Sequence, residues 1–346
     1  MLRRIKLEEK RLGVAGEIGE TAMKLYNFTS YEYCHDANFM KNVILKTYEE
    51  FGLDSVGVGL GLQGMAEAFG SKVEYPENST KYVTEPRVKT VDDINELKIP
   101  DPLKDMRLPV VLEAASLLKD EFNGERPIGL DIAGPMSVAV NLCGADNLFR
   151  WLRKHPKEVH EMLEIITQAN NKYIDEIVRL GINLEFSDPM ASTTVLSKKQ
   201  SNEFALPYLK KNLDYYSEIS SKKASLHICG KTSQIWDTIR DFKIKAFSVD
   251  NIEDLSEVVE QLGDVHHIVG NVPPVEIIKN GTREDIKKSI ASCILKAYDS
   301  KMGYTIGAGC QIPVGTPREN LHAYFDIAKE LGKLPIDVEK LEDIIK

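Results

Sequence analysis

The sequence predicts an α/β protein folded as a (β/α)8 (TIM) barrel with an N-terminal helical extension, and three observations carry that reading. Short apolar runs alternate with longer amphipathic stretches along most of the chain, the rhythm of βα units. Several runs are almost continuously apolar, as parallel strands covered on both faces are. Polar residues gather where the runs stop, which is where a barrel carries its site.

Strands are expected at 55–60, 127–133, 182–186, 224–229, 245–249, 266–270 and 303–310, with the eighth among residues 11–34, where no run stands out. Helices are expected at 37–51, 107–122, 156–180, 199–219, 232–241, 253–263, 283–300 and 317–332. Local punctuation supports their ends. Asp36 stands where an N-cap is needed for the helix that Gly52 ends, and Thr282 with Asp285 has the spacing of a capping pair. A small hairpin is expected around residues 72–84. Nothing resembling a Gly- or Ser-rich linker divides the chain, so residues 1–36 are read as the extension and 37–346 as one barrel domain.

Composition narrows the function. With 346 residues, 42% hydrophobic and 28% charged, the chain has the make-up of a soluble globular protein. A net charge of -9 gives no support to binding nucleic acid or an anionic membrane, which calls for basic patches. The five cysteines are scattered and odd in number, the start Met1-Leu2-Arg3-Arg4-Ile5-Lys6 has no apolar signal core, and no run of eighteen apolar residues occurs. A reduced, cytoplasmic location without a disulfide framework is expected.

Chemistry concentrates in Ser225-Leu226-His227-Ile228-Cys229-Gly230 and in Gly307-Ala308-Gly309-Cys310. At the end of a strand, His227 and Cys229 stand two residues apart, so their side chains point to one side. Cys310 ends another strand-like run. Two thiolates and one imidazole make a neutral three-ligand zinc site with the fourth position open, the arrangement of a catalytic zinc. A lone His-x-Cys is more often coincidence, since cysteine is among the most buried residues; the surrounding strand ends shift the balance. They carry Asp131, Glu185, Asp188, Asp250, Asn251 and Asn271, although Asp188 and Asp250 suit helix capping equally well. Cys34, Cys143 and Cys293 are read as buried hydrophobes. The segment Asp264-Val265-His266-His267-Ile268-Val269-Gly270 is similar to the Asp-x-His-x-x-Gly cobalamin motif, but its glycine falls one residue late. His266 is therefore not read as a cobalt ligand.

Six segments together resemble the uroporphyrinogen decarboxylase superfamily, in family order over residues 37 to 332. They are Ala133-Gly134-Pro135-Met136, Ser187-Asp188-Pro189-Met190-Ala191-Ser192, Leu206-Pro207-Tyr208-Leu209-Lys210, His227-Ile228-Cys229-Gly230, Gly270-Asn271-Val272-Pro273-Pro274, and Gly309-Cys310 followed by Pro313-Val314-Gly315-Thr316-Pro317-Arg318-Glu319-Asn320. The resemblance implies a barrel with its site at the C-terminal mouth. It also implies the branch of zinc- and corrinoid-dependent methyltransferases rather than the decarboxylases. The chain lacks the Arg-rich N-terminal substrate loop of the decarboxylases, and Val56-Gly57-Val58-Gly59-Leu60-Gly61 lacks their essential Asp. Their Gly-Asn-x-Asp-Pro is here Gly270-Asn271-Val272-Pro273-Pro274.

The expected cofactors are thus Zn2+ on His227, Cys229 and Cys310, and a cobalamin carried by a partner corrinoid protein. Such a zinc acts in one of two ways: as Lewis acid on the oxygen leaving a methyl ether, or as the site that turns a thiol such as coenzyme M into a thiolate. The similarity of Gly307-Ala308-Gly309-Cys310 and 315–320 to O-demethylases favours a methoxyaromatic donor, with methyl transfer to Co(I). The thiol route stands beside it, and decarboxylation or a non-catalytic subunit role behind both. Glu185, Asp188 and Asp250 are the candidates for fourth ligand, proton donor or support of His227. Gln63, Met65, Asp131, Met136 and Asn271 are the candidate pocket residues.

Overall fold

A computed structural model describes residues 10–346 apart from residues 17 and 78; the expected basic start at 1–6 lies outside the described residues. Eight parallel strands form one curled sheet: β1 (Gly13–Val14), β2 (Val56–Gly59), then, past a hairpin of β3 (Lys72–Glu74) and β4 (Tyr82–Glu85), β5 (Ile128–Ala133), β6 (Asn183–Ser187), β7 (Ala224–Ile228), β8 (Ile244–Val249), β9 (His267–Val272) and β10 (Tyr304–Ala308). The order β1-β10-β9-β8-β7-β6-β5-β2 is that of a (β/α)8 barrel opened at one seam. The eighth strand is Gly13–Val14, only two residues long, so the barrel reaches back into the stretch expected to precede it. Two residues are too few to show a period, which is why no run stands out there.

At the seam, no ladder joins β1 to β2 among the described residues. Asp54, just before β2, replaces it. One carboxylate oxygen accepts the Val14 N–H at 2.8 Å and an Arg11 guanidinium N–H at 2.7 Å, and the other takes a second Arg11 donor.

Alternation along the strands sorts the side chains. Leu130, Ile132, Leu184, Phe186, Leu226, Ile228, Phe247, Val249, Ile268 and Ile306 are buried on the outer face under the helices. The inner face carries Gly57, Gly59, Gly129, Asp131, Glu185, Ser187, Ser225, His227, Ser248, Thr305 and Gly307. Barrel interiors are usually filled by layers of branched apolar residues; this one is small and polar towards its mouth.

The helices follow the amphipathic stretches. Ala37–Phe51 begins where Asp36 accepts the Phe39 N–H at 2.9 Å and ends at Gly52 with φ +59°. Arg283–Ala297 opens on the Thr282/Asp285 capping box. The helix expected at 199–219 is interrupted: Lys198–Gln200 runs into one π-turn at Ser201–Ala205 before Leu206–Ser220. Pro207 has no N–H to offer the preceding turn, which accounts for the widened ladder there. No helix among the described residues is long and apolar enough to cross a membrane.

Because Asp54 ties the start of β2 to both Arg11 and β1, Asp54→Ala is expected to lower stability by roughly 1–3 kcal/mol in urea unfolding.

Candidate metal centre

β7 delivers His227 on the inner face, in register with Ser187 of β6 and Ser248 of β8. That register decides how the imidazole is used. Nδ1 lies 3.0 Å from Ser248 Oγ and 3.2 Å from the Ser248 carbonyl, and a carbonyl only accepts, so Nδ1 carries the proton. Nε2 is left with its lone pair facing Cys229 Sγ at 2.9 Å. Cys229 Sγ in turn lies 2.7 Å from Cys310 Sγ, and both thiols are free rather than joined as a disulfide.

The three donor atoms lie within 4.8 Å of one another, the one such convergence of three His, Cys, Asp or Glu side chains among the described residues. The hydrogen bond that Cys229 gives Cys310 holds the Cys310 thiol below its ordinary range. The same bond, with burial, pushes Cys229 up. Two sulfurs and an imidazole nitrogen thus crowd one spot. Crowded donors of this kind are what a soft divalent cation relieves, so the donor set fits zinc.

The Cys229 loop turns at Gly230 with φ +89°, and a Cβ there would come within 2.7 Å of Thr194 Oγ1 and 2.9 Å of Ser192 Oγ. The turn needs glycine on both counts.

The other predicted residues separate. Asp250 reaches the centre indirectly: Oδ2 accepts the Gly230 N–H at 2.7 Å and Oδ1 the Ile252 N–H at 2.9 Å. Asn271 is buried, and its amide donates to the carbonyls of Asp250 and Glu253 at 3.1 and 2.9 Å, so it braces that loop while also bordering a cleft with Asn251, Glu253 and Pro273. Asp131 and Glu185 pair in register one layer deeper in the barrel, with Ser187 Oγ donating to Asp131 at 2.8 Å. Met65, in the helix Gly64–Ala68, and Met136, in the helix Pro135–Cys143, are buried, 1% and 0% exposed. Gln63 is half-buried on the loop after β2, near Gly61 and Lys81.

Asp188 is fully buried behind the inner wall. Its Oδ1 accepts the N–H and hydroxyl of Ser137 at 2.9 and 2.6 Å, capping the helix Pro135–Cys143 from the end of the neighbouring strand, while Oδ2 has no partner. Of the roles expected for it, capping is the one its contacts display. Gly134 must lack a side chain because a Cβ would run into this carboxyl group. Residues missed by sequence reasoning are Ser248, which fixes the His227 tautomer, and Glu253, whose Oε1 accepts from Thr232 and Ser233. Neither belongs to a motif; only pairing with β7 reveals them. As read from the sequence, Cys34, Cys143 and Cys293 are buried. His266 is also buried, donating from Nε2 to the Ile239 carbonyl at 3.0 Å.

Comparison with known proteins gives a consistent picture. The family model for uroporphyrinogen decarboxylase (URO-D) matches residues 14–331. A methylated-thiol–coenzyme M methyltransferase of Methanosarcina mazei is 29% identical, covering 90% of this chain and 81% of the relative. A methylcobamide:CoM methyltransferase of Methanosarcina acetivorans is also 29% identical, with 85% of each chain covered. A solved methyltransferase structure from Methanosarcina mazei superposes with a TM-score of 0.81 at 24% identity, over 94% of this chain and 95% of that one, a likeness of fold.

Two outcomes are expected. Ser248→Ala removes the hydroxyl partner of His227 Nδ1 but leaves the carbonyl, so zinc affinity, measured by chelator competition, falls by about tenfold. Burial pushes the Asp188 carboxyl from 3.8 up to about 6. The fold therefore favours its neutral form: that contribution is complete below the ordinary carboxylate value and is lost as pH rises through about 6. Relative to Asp188→Asn, the wild type loses roughly 3 kcal/mol of stability between about pH 4 and pH 7, read from urea unfolding at each pH.

Proposed function

Since the chain belongs to the uroporphyrinogen decarboxylase family, and within it is a methyltransferase of the corrinoid-dependent type, we propose that it moves a methyl group between the cobalt of a partner corrinoid protein and a small thiol held at the His227–Cys229–Cys310 centre. The observation that carries this is the convergence of those three donors at the barrel mouth, with Nε2 of His227 left unprotonated. The named relatives act on coenzyme M, a thiol, and on methylated thiols. For the phenyl methyl ether donor expected from the sequence, the support is resemblance, at Gly307–Cys310 and 315–320 and in a start that departs from the usual coenzyme M branch.

Zinc bound here supplies a Lewis acid that holds a thiol as thiolate at neutral pH. The chain's own residues do the rest. Ser248 keeps the His227 proton on Nδ1, so that Nε2 stays a donor of electrons. Cys310 and Cys229 would give up their thiol protons on binding a cation. Asp250 keeps the Gly230 turn closed against the mouth and so holds the Cys229 sulfur where the Cys310 sulfur meets it. Cobalt has no ligand of its own on this chain in this reading, and a corrinoid-carrying protein brings it to the open mouth.

The test is a pair of spectroscopic assays on the zinc-loaded protein: loss of methylcobalamin with coenzyme M or homocysteine, and methylation of Co(I) cobalamin by a methoxyaromatic. Thiol-dependent loss of methylcobalamin, reduced at least a hundredfold or so in Cys310→Ser, supports the proposal. Methoxyaromatic demethylation without thiol activity overturns it in favour of the ether donor. Metal content measured alongside should be close to one zinc per chain, and the variant should lose it while keeping its helical circular dichroism.

A further inference from the structure

The two cysteines sit on loops that do not touch each other's backbone in any ladder; both are registered against a third loop, residues 250–253 after β8. Towards β7, Asp250 Oδ2 accepts the Gly230 N–H at 2.7 Å, one residue beyond Cys229. Glu253, 9% exposed, accepts with a single oxygen the Thr232 N–H, the Ser233 N–H at 2.8 Å and the Thr232 hydroxyl at 3.2 Å. Trp236 Nε1 donates to that same hydroxyl at 2.9 Å, so Thr232 is held from two sides. Towards β10, Gly309 packs so closely on this loop that a Cβ would come within 2.5 Å of the Asn251 nitrogen, one residue before Cys310. From behind, Asn271 donates to the carbonyls at both ends of the loop.

We propose that residues 250–253 form a clamp that sets the separation of the two cysteine sulfurs, with Glu253 as a positioning residue for the metal centre. Glu253 touches no metal-binding atom and acts through the Gly230–Ser233 turn. A carboxylate is suited to this because one charged oxygen collects three donors, and charge-assisted hydrogen bonds are the stronger kind. A simple helix cap would explain the Ser233 contact alone. It would not explain why the same loop also meets Gly230 and Gly309, the neighbours of both cysteines. The inference rests on the metal reading above.

The experiment titrates Co2+ into the full chain and follows sulfur-to-cobalt charge-transfer absorption, for wild type, Glu253→Ala, Glu253→Gln and Asp36→Ala. Asp36→Ala removes an N-cap on the helix Ala37–Phe51 and serves as a control for general loss of stability. The clamp predicts that Glu253→Ala binds Co2+ at least about tenfold more weakly, that Glu253→Gln recovers part of the loss, and that Asp36→Ala binds as wild type does. Faster amide hydrogen exchange over 229–233 is expected in metal-free Glu253→Ala, which reads the loop without any metal. Wild-type affinity in Glu253→Ala, or an equal loss in Asp36→Ala, overturns the clamp. Absence of binding by the wild type as well would remove the metal reading, and the clamp with it.

Discussion

The register of three neighbouring strands is the constraint on which the rest depends. Parallel pairing of β6, β7 and β8 sets Ser187, His227 and Ser248 side by side on the inner face. A shift of one residue in β7 would turn His227 outward into the packed layer under the helices and bring Leu226 or Ile228 into the barrel. The same register puts the end of β7 beside the end of β8, and the β8 loop then meets the turns carrying both cysteines. Cys229 and Cys310 are 81 residues apart in sequence, and their sulfurs meet through this geometry alone.

The mouth is kept open by what lines it. Glycines of β2, β5 and β10 and serines of β6, β7 and β8 take the places where a packed barrel would have branched side chains. Away from the centre, a buried ion pair steadies the loop after β2: Arg107 Nε donates to Glu67 at 2.7 Å and Nη2 to the Leu60 carbonyl at 3.1 Å, while Tyr75 donates to the second Glu67 oxygen at 2.7 Å. Such a pair adds little net stability over apolar packing, yet loss of one partner is costly, on the order of 3–5 kcal/mol. It joins the hairpin and two helices to that loop in a single arrangement.

One barrel thus serves different chemistry through its loops, as folds of this kind generally do. Here the ends of β7 and β10 carry the donor side chains. Two thiols and one imidazole drawn together at the mouth suit a soft cation.

By itself, the sequence determined the barrel, most helix limits and the three soft donors. Each of these is local or periodic: alternating runs, caps such as Asp36 and Thr282, and a His-x-Cys whose two-residue spacing fixes a common side. It offered Met65 and Met136 as pocket residues, and both are buried in helices that follow strands, where an apolar residue suits core and wall alike. It left Asp188 and Asp250 between chemistry and capping and placed Asn271 in the pocket; their contacts form a helix cap, a turn holder and a brace. It was silent on Ser248 and Glu253, and on β1 beyond its approximate place. For the polar residues and β1 the physical reason is common. Their roles are set by hydrogen bonds to partners 18 to 51 residues away, or, for β1, by a strand hundreds of residues away. Such partners exist only once the sheet has closed, and tertiary structure alone decides them.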